Sequence, residues 1–182
     1  MQAILFPGQG SQHKGMGKNE LDEFNFSLDY YCSAKKILGY DLLKILDDNK
    51  LNNTLYTQPA IFLNSIIKDK ALKQNGFYPY AVAGHSLGEF SALVSSEVLD
   101  FENALKIIKV RAYEMEKAGN NNQGGMLAII GANKEQIKNI CSIGDILVPA
   151  NFNSKDQTVL SGDNNSITKA ITFCKEEGIG RA

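Results

Sequence analysis

Residues 81–90, "AVAGHSLGEF", set a serine between two glycines in the pattern G-x-S-x-G, after a short apolar run and before a helix-forming one. Read as strand, sharp turn and helix, the stretch holds the Ser86 hydroxyl out at the end of a sheet, and Gly84 and Gly88 keep side chains out of its way. The competing reading is a glycine-rich turn with a serine capping a helix. Under the first reading the helix start also offers the Leu87 N–H to a developing oxyanion.

Working outward, "YAVAG" (80–84) is a buried strand, "GEFSALVSSEVL" (88–99) the helix after it, and "FENALKIIKVRAYEMEKA" (101–118) a further helix. Upstream, "AILF" (3–6) is a short apolar run ended by Pro7 and Gly8, the pattern of a strand entering a loop. Between the two strands, Glu20 to Lys50 and Gln58 to Gln74 carry helical apolar spacing. Strands alternating with helices imply an α/β layer architecture with a parallel sheet. The polar stretch "GNNNQGG" (119–125) interrupts the pattern and reads as a linker between domains, 1–122 and 123–182. After it come strand "MLAIIGA", helix "KEQIKNIC", strands "DILVPANF" and "QTVLSG", and helix "NSITKAITFCKEEG". That βαββα order is a ferredoxin-like α+β subdomain lacking its last strand, which is expected to begin near "IGRA".

The composition narrows the function. Of 182 residues, 43% are hydrophobic and 21% charged, a globular balance. Nineteen basic residues almost match twenty acidic ones, with no basic cluster interleaved with aromatics, which argues against a nucleic-acid binder. Three widely spaced cysteines form no C-x-x-C pair, against a disulfide framework or a zinc site, and fit a reducing cytoplasm. The chain enters "QAILF" without a basic leader, and no apolar run reaches the roughly 18 residues of a membrane span.

Three further positions bear on chemistry. The loop "PGQGSQ" (7–12) follows the first strand and can supply a second oxyanion donor. As a phosphate cradle it fails, because G-x-G-x-x-G needs glycine where His13 stands. On a helical wheel of about 100° per residue, Ala104, Ile107, Met115 and Ala118 fall within about 40° of Arg111, in the middle of the apolar face. A buried arginine needs an anion: an internal carboxylate, or a substrate carboxylate gripped in bidentate fashion. The base for Ser86 is not evident. His85 adjoins the serine and is expected to point to the opposite face, and His13 precedes it in the chain, the reverse of the usual order.

At this point "ILFPGQGSQ", "TQPA", "AGHSLGEFSAL", "VRAYEM", "GGMLAIIG" and "PANFNS" resemble, in order and spacing, the malonyl-CoA:acyl-carrier-protein transacylases of fatty-acid synthesis. The resemblance implies an α/β-hydrolase-like large domain with an inserted ferredoxin-like subdomain. It implies that Ser86 takes a malonyl group from coenzyme A as an ester and yields it to the phosphopantetheine thiol of acyl carrier protein. Gln9 and the Leu87 amide correspond to the oxyanion donors, and Arg111 to the arginine that holds the malonyl carboxylate. Gln58, Asn151 and Asn153 fall at polar positions lining the site in relatives, and His85 is counted with the substrate-contacting residues. No metal or redox cofactor is implied, coenzyme A entering as a thioester substrate. The family's catalytic histidine corresponds to a position beyond Ala182, so residues 1–182 alone are expected to be inactive. A serine esterase with the same elbow, or a non-catalytic remnant of the acyl pocket, are the other two readings; an apolar ester has no need of a buried cation.

Overall fold

The computed structural model describes residues 2–121 and 124–182. The chain divides into two compact units, one up to Lys117 and one from Ala118 on, so that the break falls inside a helix.

In the first unit, β1 (Ala3–Phe6) and β2 (Ala81–Gly84) pair in parallel, Ala3 opposite Ala81 and Phe6 opposite Gly84. Parallel neighbours end at the same edge, so Pro7 and His85 leave the sheet side by side. Helices α1 (Lys18–Glu23), α2 (Ser27–Leu38) and α3 (Thr54–Gln74) intervene, with two short 3-10 turns at Leu42–Lys44 and Asn49–Asn52. Helix α3 is the core element: Ala60, Ile61, Phe62, Leu63 and Ile67 are fully buried on successive sides, packed with Leu42, Leu46, Leu105 and Ile108. A helix apolar all round is a central one. Pro59 lies inside α3 and cannot donate to the Leu55 carbonyl one turn back. The Tyr40 hydroxyl donates to that carbonyl instead, at 2.9 Å. Burial first, and then the neighbouring Tyr56, push the Tyr40 phenol above its ordinary value, which keeps it a donor.

Helix α4 (Gly88–Ser95) follows the serine, and α5 (Phe101–Asn121) follows α4. Two expectations are corrected here. Helix α4 ends at Ser95 rather than Leu99, because Glu97 turns into the left-handed region (φ 62°) and leaves Val98 exposed. The supposed linker is mostly regular structure. Helix α5 continues through Gly119 and Asn120 to Asn121, the next strand already starts at Gly124, and the remaining positions, 122 and 123, lie outside the described residues. Polar residues extend a helix by local hydrogen bonds alone, a continuation that leaves no apolar signal.

The second unit runs β3 (Gly124–Ile130), α6 (Lys134–Cys141), β4 (Leu147–Phe152), β5 (Gln157–Asp163) and α7 (Asn164–Glu176). Its sheet is antiparallel in the order β3-β5-β4, with a register shift between Pro149 and Asn151. Leu127, Ile129, Leu147 and Leu160 on one face pack with Ile140 of α6 and Ala170 and Cys174 of α7. At the outer edge of β3, Ile130 and Arg181 exchange both backbone hydrogen bonds, at 2.8 and 2.7 Å.

Candidate functional site

The geometry of the elbow explains its glycines. A Cβ on Gly84 would overlap the backbone of Gly88 and Glu89, and one on Gly88 would overlap the Phe6 carbonyl at the end of β1. The first turn of α4 therefore lies directly against both strand ends, an approach only glycine permits. Between them Ser86 adopts φ 53°, one of two non-glycine residues in the left-handed region among the described residues. A serine held there costs about 1–3 kcal/mol unless the surroundings enforce it, and the packing of Gly84 and Gly88 is that enforcement. Leu87 follows as the helix N-cap (φ −55°) with its side chain fully buried. The ladder starts beyond it, the Gly88 amide donating to His85 and the Glu89 amide to Ser86. Among the described residues the Leu87 amide donates to nothing, as the first amides of a helix do.

His85 and Ser86 diverge, as expected of neighbours on an extended strand. The His85 amide donates to Phe6 at 3.0 Å, and its imidazole packs against Gly8, where a Cβ would come within 2.8 Å of Nδ1. The Ser86 hydroxyl instead accepts from Arg111 Nη2 at 3.0 Å.

Arg111 reaches this point from α5, and here the helical wheel needs correction. The buried positions of α5 are Ala104, Leu105, Ile108 and Ala112, while Ile107 and Met115 are each 44% exposed. Arg111 stands on the flank of the buried face, half-buried, rather than at its centre. The pattern misled because Ile107 and Met115 are apolar without being core. The guanidinium donates through Nη1 to Gln58 Oε1 at 2.5 Å and lies 5.9 Å from the centre of the Phe90 ring, within cation–π range. Burial draws it down from its ordinary value, and the charge of Glu89 works against that shift. It remains a cation at neutral pH. Gln58, fully buried on α3, is fixed from its other end by Nε2 donating to Met115 Sδ at 3.3 Å.

The loop after β1 is tied to the start of α3. Gln9 Nε2 donates to Thr54 Oγ1 at 3.0 Å, and Gln12 Nε2 to Asn52 Oδ1 at 3.4 Å. Inside the loop Gly10 takes φ 109° and its amide donates to the Gln12 side chain, while Ser11 Oγ donates to the Gly8 carbonyl. Asn53 caps α3 by accepting from the Leu55 amide and donates to Glu116 of α5. One turn of α3 therefore anchors Gln9 through Thr54 and Arg111 through Gln58. Thr54, Asn53 and Phe90 were not singled out in the sequence. Asn-Thr at a helix start is a readable cap signature, but its grip on Gln9 and Glu116 joins positions far apart in the chain.

The first unit thus brings together Ser86, Arg111 and Gln58, and sets Gln9 and His85 on the two segments leaving β1 and β2. Asn151 and Asn153 belong to the second unit. Asn151 pairs with Val159 on β4, and Asn153 follows the strand, its amide and Nδ2 both donating to Gln157 at 3.0 Å.

Residues 4–182 match the acyl transferase domain family. The malonyl CoA-acyl carrier protein transacylase of Haemophilus influenzae is 38% identical over 188 aligned positions, spanning 99% of this chain and 60% of that protein. The crystal structure of MCAT from Streptococcus pneumoniae superposes with TM-score 0.89 at 38% identity, over 100% of this chain and 61% of that one. A malonyl-transacylase in complex with its type II PKS acyl-carrier protein superposes with TM-score 0.91 at 36% identity, over 98% of this chain and 60% of that one. The chain therefore spans about 60% of the length of the curated relatives it matches. With that match extending over residues 4–182, the chain belongs to the acyl transferase domain family.

Proposed function

We propose that the whole protein transfers a malonyl group from coenzyme A to the phosphopantetheine thiol of acyl carrier protein, with Ser86 as nucleophile. The observation that carries the reading is the 3.0 Å contact between the candidate nucleophile and an arginine whose partners here are neutral. A malonyl thioester has a carbonyl to be attacked and a carboxylate to be held. Arg111 supplies the planar donor fork that a carboxylate fits, and its distance from Ser86 Oγ suits an acyl group whose two ends are separated by one carbon. Ser86 Oγ adds to the thioester carbonyl, the oxyanion gathers at the Leu87 amide and at Gln9, and the carbonyl re-forms as the coenzyme A thiolate leaves. The carrier thiol then repeats the addition on the ester, and Ser86 recovers its proton. The base that moves this proton is the family's histidine, which the resemblance puts beyond Ala182. His85, Asn151 and Asn153 are proposed to contact the substrate. No metal or redox group has a part in this scheme.

The architecture proposed with it is an α/β-hydrolase-like domain over 1–122 and a ferredoxin-like subdomain from 123. The order β3-β5-β4 supports the latter, and the Arg181 bridge on β3 is where a fourth strand of that fold belongs. A cytoplasmic setting is proposed for the same chemistry.

The test uses the whole protein. Incubation with malonyl-CoA leaves a malonyl adduct on the peptide containing Ser86, detected by mass spectrometry, and Ser86→Ala abolishes it. An adduct that persists in the variant overturns the assignment. Release of free malonate with no transfer to a thiol acceptor favours the esterase.

A further inference from the structure

The second unit holds a groove of about 580 Å³, built wholly from its own residues, that the acyl-transfer chemistry does not use. Its floor is apolar: Ala132, Ile137, Pro149 and the Phe152 ring, with the Cys141 thiol at one side. Phe152, at the end of β4, is 70% exposed, a large aromatic facing water. The rim is basic. Lys134 and Lys138 stand one turn apart on α6, and Lys155 comes from the β4–β5 turn. No acidic side chain lines the groove, and none of the three lysines is in an ion pair among the described residues. The volume is that of a small-molecule site, and a concave apolar floor under a rim of one charge selects an amphipathic ligand of the opposite charge. A bare anion leaves the floor wet, and a neutral apolar molecule leaves the lysines unused.

We propose that this groove binds a fatty carboxylate such as laurate, its tail on Phe152, Pro149 and Ile137 and its head on the three lysines. The proposal is independent of the malonyl-transfer reading, and its experiment does not measure transfer. Cys141 lines the groove and is half-exposed, whereas Cys32 is exposed elsewhere, on α2. The whole protein is alkylated with N-ethylmaleimide at mildly alkaline pH, with or without laurate below its micelle concentration, and labelling of each cysteine is followed by mass spectrometry. Laurate is expected to slow labelling of Cys141 several-fold and leave Cys32 unchanged. Lauryl alcohol protects less, and free coenzyme A, which is anionic without a tail, does not protect. Replacing Lys134, Lys138 and Lys155 by Gln, all at exposed positions, weakens laurate by roughly tenfold or more, the scale of a lost charge-assisted contact. Equal protection in that variant, equal protection by lauryl trimethylammonium, or protection only by acyl-CoA overturns the proposal. A Cys141 that stays unlabelled in the folded protein without any addition, yet labels after unfolding, overturns it too, because the groove is then closed.

Discussion

Two charged side chains of the first unit are held in opposite ways. Asp69 on α3 is 5% exposed and saturated: Ser95 Oγ donates to Oδ1 at 2.7 Å, and Lys73 pairs with Oδ2 at 2.8 Å while also donating to the Ser95 carbonyl. Arg111 is also drawn out of water, but its hydrogen bonds go to a neutral amide and a neutral hydroxyl. The first cluster is closed and ties the end of α4 to α3. The second keeps a cation that, among the described residues, has no hydrogen-bonded anion, in contact with the candidate nucleophile Ser86. Had Arg111 been part of the architecture, Asp69 shows what its surroundings would contain. This contrast supports the proposed substrate-carboxylate role over a structural one, although the charge of Glu89 also acts on the guanidinium.

The largest effect is expected where the closed cluster is cut. Asp69→Ala leaves Lys73 and Ser95 facing each other without the carboxylate, and removing one member of a buried pair costs about 3–5 kcal/mol. Urea denaturation of the whole protein should register that loss, while the malonylation rate per folded molecule stays unchanged. A rate that falls with stability held would make Asp69 functional and dissolve the contrast.

Next in size is Arg111→Ala. Under the proposed function it removes a charge-assisted contact that malonyl makes and acetyl cannot, worth about 1.5–3 kcal/mol, so malonyl transfer is expected to fall roughly 10–100-fold relative to acetyl transfer. Thermal stability stays within about 0.5 kcal/mol, as for a half-exposed site without an ion pair. Equal losses for both acyl groups, or a stability loss matching that of Asp69→Ala, would return Arg111 to a structural role.

The closed and open clusters differed in how much of them the sequence carried. The elbow was legible because its two glycines are demanded by backbone overlap, which is local, and the strand before and helix after it fall where the pattern puts them. The βαββα order was legible for the same reason, since apolar periodicity marks elements facing one core. Asp69 carries no such signal: an acid inside an apolar helical run gives no sign of the serine and lysine that saturate it. The burial of Arg111 was overstated because Ile107 and Met115 are apolar but exposed. Gln58 was reached through resemblance, and nothing local in "TQPA" tells that its amide spans from Arg111 to Met115.

A smaller effect tests whether the open site is held from α3. Thr54→Val removes the acceptor for Gln9 Nε2 while keeping shape, and one neutral hydrogen bond is worth about 1 kcal/mol. The turnover rate with malonyl-CoA should drop about fivefold with KM little changed, and Thr54→Ser should restore it. A rise in KM alone would place the contact on substrate binding rather than on the proposed oxyanion donor Gln9.

The smallest effect concerns a saturated carboxylate that is only partly buried, and it asks whether saturation without full burial matters. Asp163 caps α7: Oδ1 accepts from the Ser166 amide at 2.8 Å and Oδ2 from the Ser166 hydroxyl at 2.6 Å. These bonds, the hydroxyl first and then the amide, hold its carboxyl below the usual carboxylate range, with partial burial acting weakly against them. A carboxyl lowered on folding binds its proton more readily in the unfolded chain. Its contribution is therefore fully present above the unfolded value of about 3.9 and is lost as pH falls through the lower folded value. Asp163→Asn keeps a capping oxygen and abolishes the titration. Measured by urea midpoints, the variant should differ slightly from the parent at neutral pH, and the difference should shrink as pH drops below about 4. A gap that stays constant across that window would mean the cap acts by geometry alone, and that among the saturated carboxylates only the buried one, Asp69, draws stability from its charge.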